Sequence, residues 1–288
     1  MAKKKVLITG GTGYVAGRML PALRELYDVT VLDVKTTRRD GEEVAGVVVA
    51  DLLNKDRDVY REHFKGQDAV VHCGFTRAKD PADRFWAEMS NVDMAFNVYQ
   101  TCIEESVSRA VVISSNHAAD YYENLIWAGK QEFVTPDDYP LSDNYYGWAK
   151  ASYELLGFTF ATGGMNGGKR LENVQLRVGG PRETDMERAS ADNLRSMHRG
   201  LGAYLSVRDQ VQLVVKSIET GNIDNKHGVP FQIFYGISGN SHNFWTISNA
   251  QRVIGYEPED NSQVKFADKI SEVLLEAQKR YSKEEVVD

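Results

Sequence analysis

The most constraining feature of this chain lies near its start. An unbroken apolar run, Lys5–Thr9, leads straight into Gly10-Gly11-Thr12-Gly13, and from Tyr14 to Leu26 apolar residues recur at helical spacing. A strand that turns through glycines into a helix gathers backbone N–H groups and the positive end of a helix dipole at one point, which suits a pyrophosphate. Gly10 and Gly13, with Tyr14 and Val15 opening the helix, are therefore the expected phosphate contacts. Ala16 replaces the last glycine of a strict fingerprint and is small enough for close helix–strand packing. A second strand, Val29–Asp33, ends in a carboxylate that can accept hydrogen bonds from ribose hydroxyls and would repel a 2′-phosphate. The cofactor this predicts is NAD in preference to NADP, with Arg38 and Arg39 near enough in sequence to keep NADP as the alternative.

Further apolar runs follow at Gly46–Ala50, Ala69–Cys73, Ala110–Ser114 and Asn173–Val178, with helical stretches at Ala82–Glu105 and Tyr145–Thr162 between them. Such alternation, with strands that do not alternate polar and apolar residues, predicts a Rossmann-type α/β fold with a doubly wound parallel sheet. Residues 1–178 are expected to form the NAD-binding core, including the catalytic helix. Residues 179–288 are expected to be mainly a small C-terminal substrate lobe with elements returning to the core, the whole making one unit. The polar Gly180–Gly202 reads as that lobe or a lid, followed by a helix at Ser206–Glu219, a strand at Phe231–Tyr235 and a helix at Lys265–Arg280. The glycine-rich Thr162–Lys169 follows a helix and lacks a Lys-Ser/Thr ending, so it reads as a connection. Asp51 and Leu52 close the third strand and suit the edge and face of adenine. Cys73 and Gly74 close the fourth, where small residues let a cofactor lie across the strand tips.

Composition narrows the partners. A formal charge of −7 over 288 residues offers no basic stripe, which argues against nucleic acid. Cys73 and Cys102 form no disulfide framework or metal-ligand spacing, and no other metal motif occurs, so no metal is expected. The apolar stretch after the basic start is too short for a signal peptide or a membrane span, which places the protein in the cytoplasm, away from membranes.

The chemistry-bearing residues fall at strand and helix ends. Tyr146 and Lys150 are spaced i, i+4 and share one helix face, where an ammonium can stabilise a phenolate and bring it towards a working pH. Tyr145 stands five positions from the lysine, on another face. The fifth strand runs into Ser114-Ser115-Asn116-His117 at the carboxyl edge of the sheet, where ligands of such folds bind, and Ser115 is the candidate to hold a reacting oxygen.

These pieces together resemble an extended short-chain dehydrogenase/reductase, the group that contains NAD-dependent sugar-nucleotide epimerases and dehydratases. The likeness runs over nearly the whole chain: Thr9 to Gly13, Asp33, Asp51-Leu52, the Asn91…Asn97 helix, Ser114-Ser115, Tyr146-Gly147-x-x-Lys150, Arg177-Val178-Gly179 and Val253 to Pro258. Within the group it is most similar to the uronate dehydrogenases, through Ser114 to His117 with Tyr121-Tyr122, Tyr204 to Val207, and Tyr235 to Asn240 leading to Phe244-Trp245. That resemblance implies oxidation of the anomeric carbon of a free hexuronic acid, or an aldose, to the lactone. It implies Ser115, Tyr146 and Lys150 as the catalytic set and Asn91 beside the cofactor. Thr76, Asn116 and His117 would stand near the sugar hydroxyls, with Arg199 on the substrate carboxylate. It also implies a homodimer through the two long helices flanking the fifth strand. The alternative is a sugar-nucleotide epimerase or dehydratase with tightly bound NAD. The chain departs from the uronate dehydrogenases at Gly180, where they have a serine, and in longer segments at 180–206 and 122–146. The first offers Arg182, Arg188 and Arg195 as rivals to Arg199; the second adds Trp127, Phe133 and Tyr139 near the pocket.

Overall fold

β1 (Lys5–Thr9), β2 (Asp28–Asp33), β3 (Val47–Val49), β4 (Ala69–His72), β5 (Arg109–Ser115), β6 (Glu172–Val178) and β7 (Phe231–Gly236) form one parallel sheet in this computed structural model, which describes residues 2–284. Their order is β3-β2-β1-β4-β5-β6-β7, so the chain reverses direction across the sheet between β1 and β4. Ligands of open α/β sheets bind at such a reversal, outside the carboxyl ends of the strands.

The helices, in chain order, are α1 (Tyr14–Leu26), α2 (Asp58–Arg61), α3 (Arg84–Glu104), α4 (Tyr122–Trp127), α5 (Tyr145–Thr162), α6 (Thr184–Glu187), α7 (Leu194–Ala203), α8 (Val207–Glu219), α9 (Ser248–Ile254), α10 (Ser262–Lys265) and α11 (Ala267–Glu284). Successive side chains of a strand point to opposite faces, and β1 shows the consequence. Val6 and Ile8 pack with Ala16, Leu20 and Leu23 of α1 and Leu213 and Ile218 of α8. Leu7 packs on the other face with Val98 and Cys102 of α3 and Tyr153 and Phe160 of α5. Burying each such aliphatic side chain contributes about 1.5–3 kcal/mol, so both faces hold the strand in register. That two-sided cover is the doubly wound Rossmann-type arrangement the apolar runs predict.

The segment after β6 is more than a polar lid. Met186 of α6 and Met197 and Leu201 of α7 bury themselves against Val273 of α11, giving 180–203 an apolar cluster of its own. The amphipathic spacing was hidden among charges. β5 also runs further than its apolar stretch, because Ser114 and Ser115 remain paired with Arg177 and Val178 of β6.

Candidate active site

Gly10 sits at φ +66°, in the left-handed region, and a Cβ there would lie 2.6 Å from the amide nitrogen of Gly74. The turn after β1 thus touches the end of β4 through bare backbone, at the point where the sheet reverses. Gly13 is the N-cap of α1 and supplies no side chain to close the helix end. Asp33 braces the turn: one carboxylate oxygen accepts from the Thr12 amide at 2.9 Å and the Thr12 hydroxyl at 2.8 Å, the other from the Val34 amide. On the far side, Asn97 of α3 donates to the carbonyl of Leu52, fixing the chain beside the exposed Asp51. These residues fit a dinucleotide, with an uncapped helix end for the pyrophosphate and carboxylates at the tips of β2 and β3 for the adenosine. Arg38 lies against Gly17 of α1 and pairs with Glu42 at 2.9 Å.

Asn91 is engaged within the protein. Its side chain accepts from the Thr76 amide at 2.8 Å, donates to the Thr76 carbonyl at 2.9 Å and donates to Glu88 at 3.0 Å. The amide therefore clamps the loop that follows β4. That loop carries Phe75, whose ring meets Tyr146 edge-on with centroids 5.5 Å apart.

Tyr146 and Lys150 rise from the first turns of α5. Asn144 caps that helix, accepting from the Gly147 amide at 2.9 Å and donating to Asp120 at 2.7 Å. Asp120 in turn lies 2.8 Å from Nδ1 of His117, and the imidazole ring stands 5.6 Å from the Tyr146 ring. A side chain at Gly147 would collide with the His117 carbonyl at 2.0 Å, so glycine here lets α5 press against the turn after β5. Ser115 caps the short 3-10 turn Asn116–Ala119, accepting from the His117 amide at 3.2 Å. Its neighbour Asn116 is buried, with a side-chain nitrogen that has no partner. Tyr145 turns away onto Phe85 and is exposed.

Lys150 is buried and donates to the carbonyl of Ile113 at 2.8 Å, with its ammonium 5.6 Å from the Tyr146 ring centroid. Burial pulls its pKa down to about 8, although Glu88, Cys73 and Glu154 all favour the charge. Burial also pushes the Tyr146 phenol above its usual value, and the adjacent Ser115 hydroxyl works in the opposite direction. Burial would raise the Asp120 carboxyl too, but hydrogen bonds from His117, Ser142 and Asn144 hold it below its ordinary value.

Beneath this surface lies a charge network. The fully buried Arg177 of β6 holds Glu154 of α5 in a two-pronged pair at 2.9 and 2.8 Å and donates to the Tyr235 hydroxyl at 3.0 Å. Ser114 donates to the same carboxylate at 2.6 Å. Strands β5, β6 and β7 are so tied to α5, which carries Tyr146 and Lys150.

The structure brings Ser115, Asn116, His117, Tyr146 and Lys150 together at one edge and sets Thr76 beside them through the Asn91 clamp. Arg199 stands further off, with its guanidinium forked onto Glu123 at 2.7 Å on both arms. Sequence reasoning missed Glu88, whose carboxyl burial raises against the pull of Asn91, Lys150 and Arg77. Its one signal was a spacing of three from Asn91 on α3. It also missed the partner of Arg199, Glu123 of α4, distant in sequence and without any local signature.

Comparisons with known proteins show the family and the fold. The model of the NAD dependent epimerase/dehydratase family matches residues 6–221. The chain is 30% identical over 268 residues to an L-arabinose 1-dehydrogenase (NAD(P)(+)) of Haloferax volcanii, covering 90% of this chain and 97% of that enzyme. It is 28% identical to an NAD-dependent glucose-6-phosphate dehydrogenase of the same organism, covering 89% and 94%. In fold it is similar to a uronate dehydrogenase from Agrobacterium tumefaciens complexed with NAD, at a TM-score of 0.70 and 23% identity over 94% of this chain and 90% of that one. The family match spans most of the chain and includes the glycine turn, β5 and the Tyr146–Lys150 helix, so this chain belongs to the NAD dependent epimerase/dehydratase family.

Proposed function

We propose that this protein is an NAD-dependent sugar dehydrogenase that oxidises a sugar hydroxyl, at the anomeric carbon of a free hexuronic acid or aldose, to give the lactone. One observation carries the reading: the Tyr146 phenol, with Ser115 beside it and Lys150 one turn behind, stands at the carboxyl edge of β5 next to the reversal of the sheet. The sugar dehydrogenases of Haloferax volcanii support it, being similar over nearly their whole length.

In this reading NAD, when bound at the glycine turn, supplies the acceptor for hydride from the sugar carbon. Ser115 hydrogen-bonds the sugar oxygen and Tyr146 removes its proton, so that with the loss of that proton and of hydride from the same carbon the alcohol becomes a carbonyl whose oxygen stays on the sugar. Lys150 supplies the positive charge that favours the phenolate. Asn116, with its unpartnered buried nitrogen, and His117, with its ring set by Asp120, face the sugar side. Asn91 orders the loop under Tyr146. The cytoplasm is the setting that goes with this reading, with Cys73 and Cys102 as free thiols. Among the described residues no helix is long and apolar enough to cross a membrane. A homodimer through α3 and α5 also belongs to the proposal, supported by Phe96, Leu155 and Phe158, which those helices leave exposed. Sedimentation at micromolar concentration tests it.

The deciding experiment measures NADH formation from free sugars by Tyr146→Phe. Losing the proton acceptor lowers kcat by about 10²–10⁴-fold, while NAD affinity stays within about twofold. Undiminished turnover in that variant would move the base elsewhere.

A further inference from the structure

The segment 180–203 builds a cavity that the proposed mechanism leaves unused. It encloses about 400 Å³ between α6 and α7 and is lined by Arg182, Asp185, Arg188, Asn193, Ser196 and Arg199, among others. Its volume is within the range of small-ligand sites.

Its three arginines differ in one respect. Arg199 is neutralised by Glu123, whereas Arg182 and Arg188 join no ion pair among the described residues. Asp185 offsets part of their charge, and the positive side retains the excess. The N-terminus of the ten-residue α7 also opens here, where Asn193 is the N-cap and Ser196 follows within the first turn. A helix start adds a fixed partial positive charge to the same wall.

The cavity adjoins the chemistry. Arg182 lies 5.6 Å from the centre of the Tyr14 ring, and Tyr14 opens α1 at the cofactor side. Gly180, two residues earlier, lines the cavity and lies two residues beyond the end of β6. The charge of Arg182 reaches the Tyr146 phenol and favours its ionised form.

We propose that this cavity is the subsite for a phosphate group carried on the sugar, so that the substrate is a phosphorylated sugar. This rests on the sugar dehydrogenase reading and changes its substrate from a free aldose or uronate to a phosphorylated sugar. A carboxylate is satisfied by one guanidinium fork. A phosphomonoester carries close to two negative charges and three strong acceptor oxygens, which matches two unengaged guanidinium groups, the Ser190 and Ser196 hydroxyls and a helix start.

The test uses the full chain with NAD⁺ and four substrates: an aldose, its terminal phosphate ester, the corresponding uronate, and a nucleotide sugar. The phosphate ester is expected to exceed the aldose and the uronate in kcat/KM by 10²-fold or more. Inorganic phosphate should compete with it and not with NAD⁺. Arg188→Gln should raise KM for the ester at least tenfold while leaving KM for NAD⁺ and turnover of the unphosphorylated aldose unchanged, and Arg188→Lys should fall between. Arg182 and Arg188 are both exposed, and a melting curve of each variant confirms folding.

Equal use of the aldose, or preference for the uronate, overturns the subsite and leaves the dehydrogenase standing. A rise confined to KM for NAD⁺ in Arg182→Gln assigns that guanidinium to the cofactor and overturns its part. Preference for the nucleotide sugar gives the cavity to a diphosphate and overturns the phosphomonoester. Thermal stabilisation by the sugar phosphate that Arg188→Gln abolishes, with no NADH formed from any sugar, supports the subsite and sinks the dehydrogenase reading instead.

Discussion

Below Tyr146 the charged groups face one another, and beside it, between β6 and α8, two arginines join no ion pair among the described residues. In the floor, Arg177, Glu154, Ser114 and Tyr235 satisfy each other away from solvent, and Lys150 is anchored to a β5 carbonyl. In the rim, Arg182 and Arg188 are exposed and unpaired among the described residues. A buried charge without a partner costs several kcal/mol, so the floor tolerates little change, while an exposed arginine costs almost nothing to keep in reserve. The difference teaches where substrate specificity can vary. In the proposed mechanism the floor sets the geometry of proton removal, and the rim is free to be retuned for a different sugar.

Lys150→Met gives the sharpest test of that division. The floor charge serves activity at the expense of stability, so the variant should lose about 10²–10⁴-fold in kcat and melt no lower than the parent at pH 7. The sign follows from the pKa. Lys150 titrates near 8 in the folded protein and at 10.5 when unperturbed, so between those values the unfolded chain binds more protons and stability rises with pH. Below pH 8 the whole penalty is present, about 3 kcal/mol at most. The advantage of Lys150→Met should therefore be greatest at neutral pH and shrink above pH 8. A variant that is less stable at pH 7 would show that the Ile113 hydrogen bond outweighs the burial cost.

Breaking the floor pair tests the same contrast through stability. Glu154→Gln leaves the Arg177 guanidinium buried and half-compensated, which should cost about 3–5 kcal/mol in urea unfolding. Replacing both with apolar residues, Glu154→Leu with Arg177→Met, should recover most of that loss. A single variant within about 1 kcal/mol of the parent would mean that water reaches this site.

What was legible in the sequence follows from how far apart the interacting residues lie. The glycine turn, Asp33, and the Tyr146–Lys150 spacing are each set within one strand–turn–helix or one helix, and period and chemistry expose them. Arg177 was visible as part of a motif, but nothing local says that its carboxylate lies on α5. Glu88 reads as one more acid on a helix until the fold buries it under the loop after β4. The helices α6 and α7 were masked because their apolar residues are few and the charges around them dominate the pattern. The fold class depends on repeated local signals. The rim depends on pairs that only tertiary structure makes.

Arg199 offers the smallest expected effect and bears most directly on the rim. Its resemblance-derived role is to grip the substrate, yet its fork is engaged by Glu123, with both side chains largely shielded from water. If that pair persists when substrate binds, Arg199→Lys keeps the charge and loses only the two-pronged geometry, at a cost of about 1 kcal/mol or less in stability. KM for a phosphorylated sugar should then change less than about threefold, well under the effect of Arg188→Gln. The informative result is the opposite one. A rise in KM as large as that of Arg188→Gln, with kcat unchanged, would require Glu123 to release the guanidinium on binding. The two kinds of arginine in this cavity would then differ only until substrate arrives.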